Sequence, residues 1–132
     1  MSIHQLIREG KNVEALQIAE PHIAGWESFN LLLGCARGDN TSEIADLAKR
    51  VKPSDDPETD YFSASHLAYC NQGTAAISML KRAIERKYCS YPELDSDPFF
   101  DKVRTETDFL AARSEAIECQ RDFVERLGLR SQ

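Results

Sequence analysis

The chain has 132 residues, a formal net charge of −6, 42% hydrophobic residues and 29% charged ones. This balance supports one folded core and excludes wholesale disorder. The acidity removes any electrostatic reason to seek nucleic-acid phosphates or anionic lipid surfaces.

No apolar stretch approaches the ~18 residues that a membrane span needs. The segment Met1 to Gly10 lacks the apolar run of a secretory signal. The expectation is therefore a cytoplasmic protein with no membrane and no nucleic-acid partner. Taken along the chain, Ile3, Leu6 and Ile7 have helical spacing, and Gly10 ends this short helix. Asn12 then caps a second helix with Val13, Leu16, Ala19 and Ile23 on its stripe, and Pro21 predicts a kink or an early end. A third helix starts near Trp26 and carries Phe29, Leu32, Leu33 and Ala36, up to the turn Gly38-Asp39-Asn40. Thr41 or Ser42 caps a fourth, with Ile44, Leu47, Ala48 and Val51 on one face.

After a polar connector from Pro53, Asp56-Pro57-Glu58 is a helix start: an acceptor at the cap, proline at the first position, an acid in the first turn. The fifth helix runs to about Asn71 and buries Tyr61, Phe62, Ser65, Leu67, Ala68 and part of Tyr69. Asn71-Gln72-Gly73 is the turn. The sixth helix runs from Thr74 to about Lys87, with Ile77, Leu80, Ala83 and Ile84 inward. Its basic cluster, Lys81, Arg82, Arg86 and Lys87, sits where cations offset the helix dipole. An aromatic loop, Tyr88 to Pro92, follows. Asp97-Pro98 opens a short helix with Phe99, Phe100 and Val103. A last helix from Glu106 or Thr107 holds Phe109, Leu110, Ile117, Cys119, Phe123, Val124 and Leu127, and Gly128 stops it. No segment has the alternation of a strand.

The hairpin formed by the fifth and sixth helices resembles the tetratricopeptide repeat. Phe62 takes the bulky place, His66 the small one, Ala68-Tyr69 the alanine-aromatic pair, Gly73 the turn, and Ala76, Leu80 and Ala83 the second-helix places. Gly10 with Ala15, and Leu33-Gly34 with Gly38, mark two weaker units. The stretch Tyr88 to Phe100, with Val103-Arg104 and Asp108-Phe109, is similar to the segment that closes many bacterial tetratricopeptide proteins. The resemblance implies an all-α, right-handed α-α superhelix of about three degenerate helical hairpins with C-terminal capping helices. It would be one domain over 1–132, with repeats in 1–87 and the closing loop and cap in 88–132.

Little in the residues points to catalysis. His66 and Cys70, spaced i, i+4, suit two metal ligands, but no further ligand stands nearby in sequence. Asp95, Asp97, Asp101 and Glu106 track a calcium loop only in part, because Pro98 and Phe99-Phe100 replace a ligand and a glycine. A Cys-His pair such as Cys35 with His66 has no local support. Cys35, Cys70, Cys89 and Cys119 are widely spaced and read as buried thiols in a reducing compartment. No cofactor and no metal are expected.

The resemblance implies a protein-interaction module with a concave groove on the first helices of the hairpins. By register, Leu31, Cys35, Ser63, Leu67 and Asn71 would line it and take a peptide or protein partner. Ile3, Leu6 and Ile7 would offer a second, self-associating surface at the N-terminal helical end. The alternative is a sensory arm of a larger bacterial regulator.

Overall fold

A computed structural model of the chain describes residues 2–18 and 27–128. The expected stripe positions Ala19 and Ile23, the kink at Pro21 and the helix start at Trp26 lie outside the described residues. The described residues form helices joined by turns and loops, with no strand among them. In chain order they form α1 (Ile3–Arg8), α2 (Asn12–Ile18), α3 (Glu27–Arg37), α4 (Thr41–Lys49), α5 (Pro57–Tyr69), α6 (Gly73–Glu85), α7 (Glu93–Ser96), a 3₁₀ segment (Pro98–Val103) and α8 (Thr107–Arg126).

Local chemistry explains most of the boundaries. Ser2 Oγ accepts the Gln5 N–H at 3.1 Å and starts α1. Asn40, one residue before the expected cap, starts α4 by accepting the Glu43 N–H at 2.9 Å. Asp56 caps α5 as expected, accepting from Glu58 N and from Thr59 Oγ1. The chain turns left-handed at Gly10 and Gly38, with φ of 79° and 80°. At the third turn the left-handed residue is Asn71 (φ 64°), and Gly73 is the first residue of α6. Asparagine tolerates that conformation better than other side-chain-bearing residues, so the turn closes without glycine. Helix α7 follows the aromatic loop, in a four-residue stretch too short for periodicity to predict an element.

Consecutive helices pair as α1 with α2, α3 with α4, and α5 with α6. The hairpins adjoin through α2 with α3 and α3 with α5, and α8 packs on α6. Two apolar clusters result. The larger joins α5, α6 and α8 through Tyr61, Leu67, Leu80, Phe100, Phe109 and four wholly buried alanines, Ala64, Ala68, Ala76 and Ala83. The smaller joins Leu6, Ile7, Ala15, Phe29, Leu32, Leu33 and Phe99.

Several expected faces differ. α5 is buried almost all round, because α3, α6 and the 3₁₀ segment surround it, so its pattern has little amphipathic contrast. Beyond Glu58 and Thr59, exposed in its first turn, the residue it leaves outward is Phe62, 39% exposed. On α2, Ala15 is buried while Val13 is exposed. α8 buries Phe109, Ala112 and Ala116, while Leu110 in its first turn, Phe123 near its end and Leu127 at its C-cap are exposed. Of the expected N-terminal surface, Leu6 and Ile7 are covered by α3 and Phe99, and Ile3 is half-buried against the same cluster.

The cysteines correct the reading of free thiols. Cys35 is bonded to Cys70, and Cys89 to Cys119, with S–S distances of 2.04 and 2.05 Å. Each pair lies 30 or more positions apart in sequence, so no local signal couples them. The pairing also removes the ground on which a reducing compartment was expected.

Candidate functional site

The first helices of the three hairpins, α1, α3 and α5, bring their side chains to one cleft of about 820 Å³, closed on one flank by the connector after α4. Phe29, Phe62 and Val51 supply its apolar surface. Ser28, Ser63 and His66 supply polar atoms, and Arg8, Arg50 and Lys52 stand round it with Glu27. A concave apolar site with a few convergent polar groups is the usual form of a ligand-binding pocket.

A chain of polar contacts crosses the cleft. His66 Nδ1 lies 2.5 Å from Ser28 Oγ and 3.2 Å from the Ser28 carbonyl oxygen. On the other edge of the ring, His66 Nε2 meets His4 Nε2 at 3.0 Å. The two imidazoles are stacked, 4.9 Å between centres, and His4 also sits 5.5 Å from the Phe29 ring. His66 is buried. Desolvation first, then the charge of His4, push its pKa down to about 3, against a weaker opposing pull from the Ser28 backbone. His4 is held below the usual imidazole value by burial and by Arg8, with Asp97 opposing.

α1 has further anchors. The Arg8 guanidinium stands 4.9 Å from the centre of the Phe99 ring and 3.5 Å from Asp97. Asp97 also accepts from Tyr61 Oη at 2.9 Å and from the Phe99 N–H at 3.0 Å. Burial and this carboxylate push the Tyr61 pKa upward. The connector that flanks the cleft is clamped from α6: Arg82 and Arg86 donate to the Ser54 carbonyl, and Arg82 Nε also donates to buried Asp60 at 3.1 Å. Two members of the basic cluster thus hold a loop instead of serving mainly the α6 dipole.

Of the five residues expected in a groove, only Ser63 reaches this cleft. Leu31 is 0% exposed, in the core under α3. Cys35 is spent on its bond to Cys70. Leu67 is 1% exposed, beneath a separate depression beside Met79 and Arg82. Asn71 is an exposed turn residue. The residues that line the cleft instead include Ser28 and Phe29 at the start of α3, Phe62 in the middle of α5 and His66 in its last turn. The available signal was His66 itself, an imidazole in a small-residue place, whose bulk needs a polar partner from another helix.

Among the described residues no group of three or more His, Cys, Asp or Glu could hold a metal ion. Cys70 is bonded to Cys35, and the His66 ring faces His4 and Ser28. The acids of the calcium-like stretch bond within the chain: Asp95 to Arg113 at 2.7 and 2.9 Å, Asp101 to Arg104 at 2.9 Å. No described helix is long and apolar enough to cross a membrane. No protein-family model, curated protein or solved structure matches this chain.

Proposed function

We propose that this protein is a non-enzymatic interaction module of tetratricopeptide-like hairpins, and that the cleft on α1, α3 and α5 takes a bulky apolar side chain of a peptide or protein partner. The observation that carries this reading is Phe62, a large apolar residue left 39% exposed on the wall of a cleft that the first helices of three successive hairpins build together. Stacked hairpins then present a curved surface, with Phe29 and Phe62 as the apolar contact and the surrounding cations as a polar rim. A catalytic reading gains little from the Ser28–His66 contact. An imidazole whose pKa is pushed down to about 3 is a poor acceptor for a serine proton near neutral pH.

A displayed library of random 12-residue peptides, panned on the purified chain, tests the proposal. Recovered peptides should share one or two large apolar residues. Their affinity should fall about tenfold or more on Phe62→Asp, with helix content unchanged by circular dichroism. No enrichment, or equal binding to the variant, would overturn it.

A further inference from the structure

The Nε2-to-Nε2 contact between His4 and His66 requires one nitrogen to carry a proton and the other to be bare. The far edge of His66 decides which. Nδ1 faces two Ser28 oxygens: the hydroxyl at 2.5 Å can donate or accept, while the carbonyl at 3.2 Å can only accept, so a proton on Nδ1 is the arrangement that suits both. His66 Nε2 is then the bare acceptor, and His4 donates. A second proton on His66 would aim one N–H at another inside a buried site.

The surroundings reinforce this. α1 contributes His4 and Arg8, and the connector contributes Arg50 and Lys52, all of them neutral or cationic. The carboxylates nearby are Glu27 at the start of α3 and Asp97, which already receives Tyr61, the Phe99 N–H and Arg8. In water the same imidazole takes its proton at the ordinary value of 6.5, against about 3 in the folded site. Below pH 6.5 protons therefore favour any arrangement that exposes His66 to water.

The fold makes one such arrangement easier than the rest. α1 has six residues, and its buried side chains, Leu6 and Ile7, belong to the smaller cluster. Cys35, Cys70 and Cys119 lie in or against the larger cluster, so the covalent bridges tie the body and leave α1 free of them. Lifting α1 removes His4 from His66 while α5, α6 and α8 stay packed.

We propose that α1 is an acid-released latch: a proton on His66 expels His4, α1 lifts, and the cleft loses the wall formed by His4 and Arg8. As regulation of a binding site, this rests on the cleft reading above; as a movement, it is measured without any ligand.

Hydrogen–deuterium exchange on the full chain from pH 7.5 to 4.5, corrected for intrinsic rates, tests it. Protection of the α1 amides should fall about tenfold per pH unit below about 6.5, while α5 and α6 keep theirs. His66→Gln, whose amide can still accept from His4 and donate to Ser28 without titrating, should remove the His66 share of the slope and leave only the part that His4 adds on leaving its buried place. Imidazole NMR of the unsubstituted chain gives a second measurement that needs no variant: the His66 ring should take its proton in step with α1 release. Flat α1 protection, simultaneous loss in every helix, an unchanged slope in His66→Gln, or protonation of His66 with α1 still protected would each overturn the latch. Any of these results stands whether or not a peptide for the cleft has been found.

Discussion

Asp60 is wholly buried, yet it sits in the first turn of α5 and holds three partners: the Ser54 N–H at 2.8 Å, Arg82 at 3.1 Å and Arg86 at 3.6 Å. Its carboxylate is the point on which the connector beside the cleft is pinned. Removing one side of a buried ion pair costs roughly 3–5 kcal/mol, because the remaining charge is stranded. Here the two arginines are 42% and 34% exposed, so water takes up part of that loss. Asp60→Ala is expected to lower unfolding stability by about 2 kcal/mol, and Asp60→Asn by less, since its amide oxygen still receives the Ser54 N–H. Urea denaturation reads both. A change under about 0.5 kcal/mol in the alanine variant would show that the clamp contributes little. Residues of this kind were hard to read in advance. An acid in the first turn of a helix has a sufficient local explanation in the dipole, and nothing local reveals that it is buried under two arginines from α6.

At the scale of elements, the helices that close their own ends were the legible ones. Asp56-Pro57 announces α5 within two residues, and Gly10 and Gly38 announce their turns, because each acts on the backbone beside it. The alanines expected where α5 meets α6, Ala68, Ala76 and Ala83, are all 0% exposed, and Ala64 joins them, as helices in close contact require. That closeness has a measurable consequence. Ala76→Leu pushes extra methylenes into a filled contact and is expected to cost about 2 kcal/mol. Ala75→Leu, on the exposed side of the same turn, should change stability by less than about 0.5 kcal/mol. Equal effects at the two positions would refute the close packing of α5 on α6. Faces were less legible than boundaries. α5 has neighbours on nearly every side, and α8 carries exposed apolar residues in its first turn and towards its end, so an apolar residue on either helix does not by itself point inward.

Over the whole molecule, the features that escaped sequence reasoning are those that join distant positions. His4 meets His66 across 62 positions, and the cysteine pairs span 35 and 30. Each partner alone had an ordinary local reading, as an isolated imidazole or a buried thiol. The bridges tie α3 to the end of α5, and the loop after α6 to α8. Chain-entropy arguments give loops of this length a stabilisation of about 3–4 kcal/mol each. The unreduced native protein is therefore expected to show no thiol reactive toward a disulfide reagent. Treatment with a phosphine reductant should lower its thermal midpoint substantially. Native protein in which all four thiols react at once would contradict the pairing.

Phe99 and Phe100 are neighbours in sequence and belong to different cores. Phe99 lies with Leu6, Ile7 and Phe29, while Phe100 lies against Tyr61 and Phe109. The opening helix therefore completes its resting place only after most of the chain has been made. During synthesis it meets α3 early, but the ring that closes over it is encoded some ninety codons downstream, so its packing is completed out of chain order.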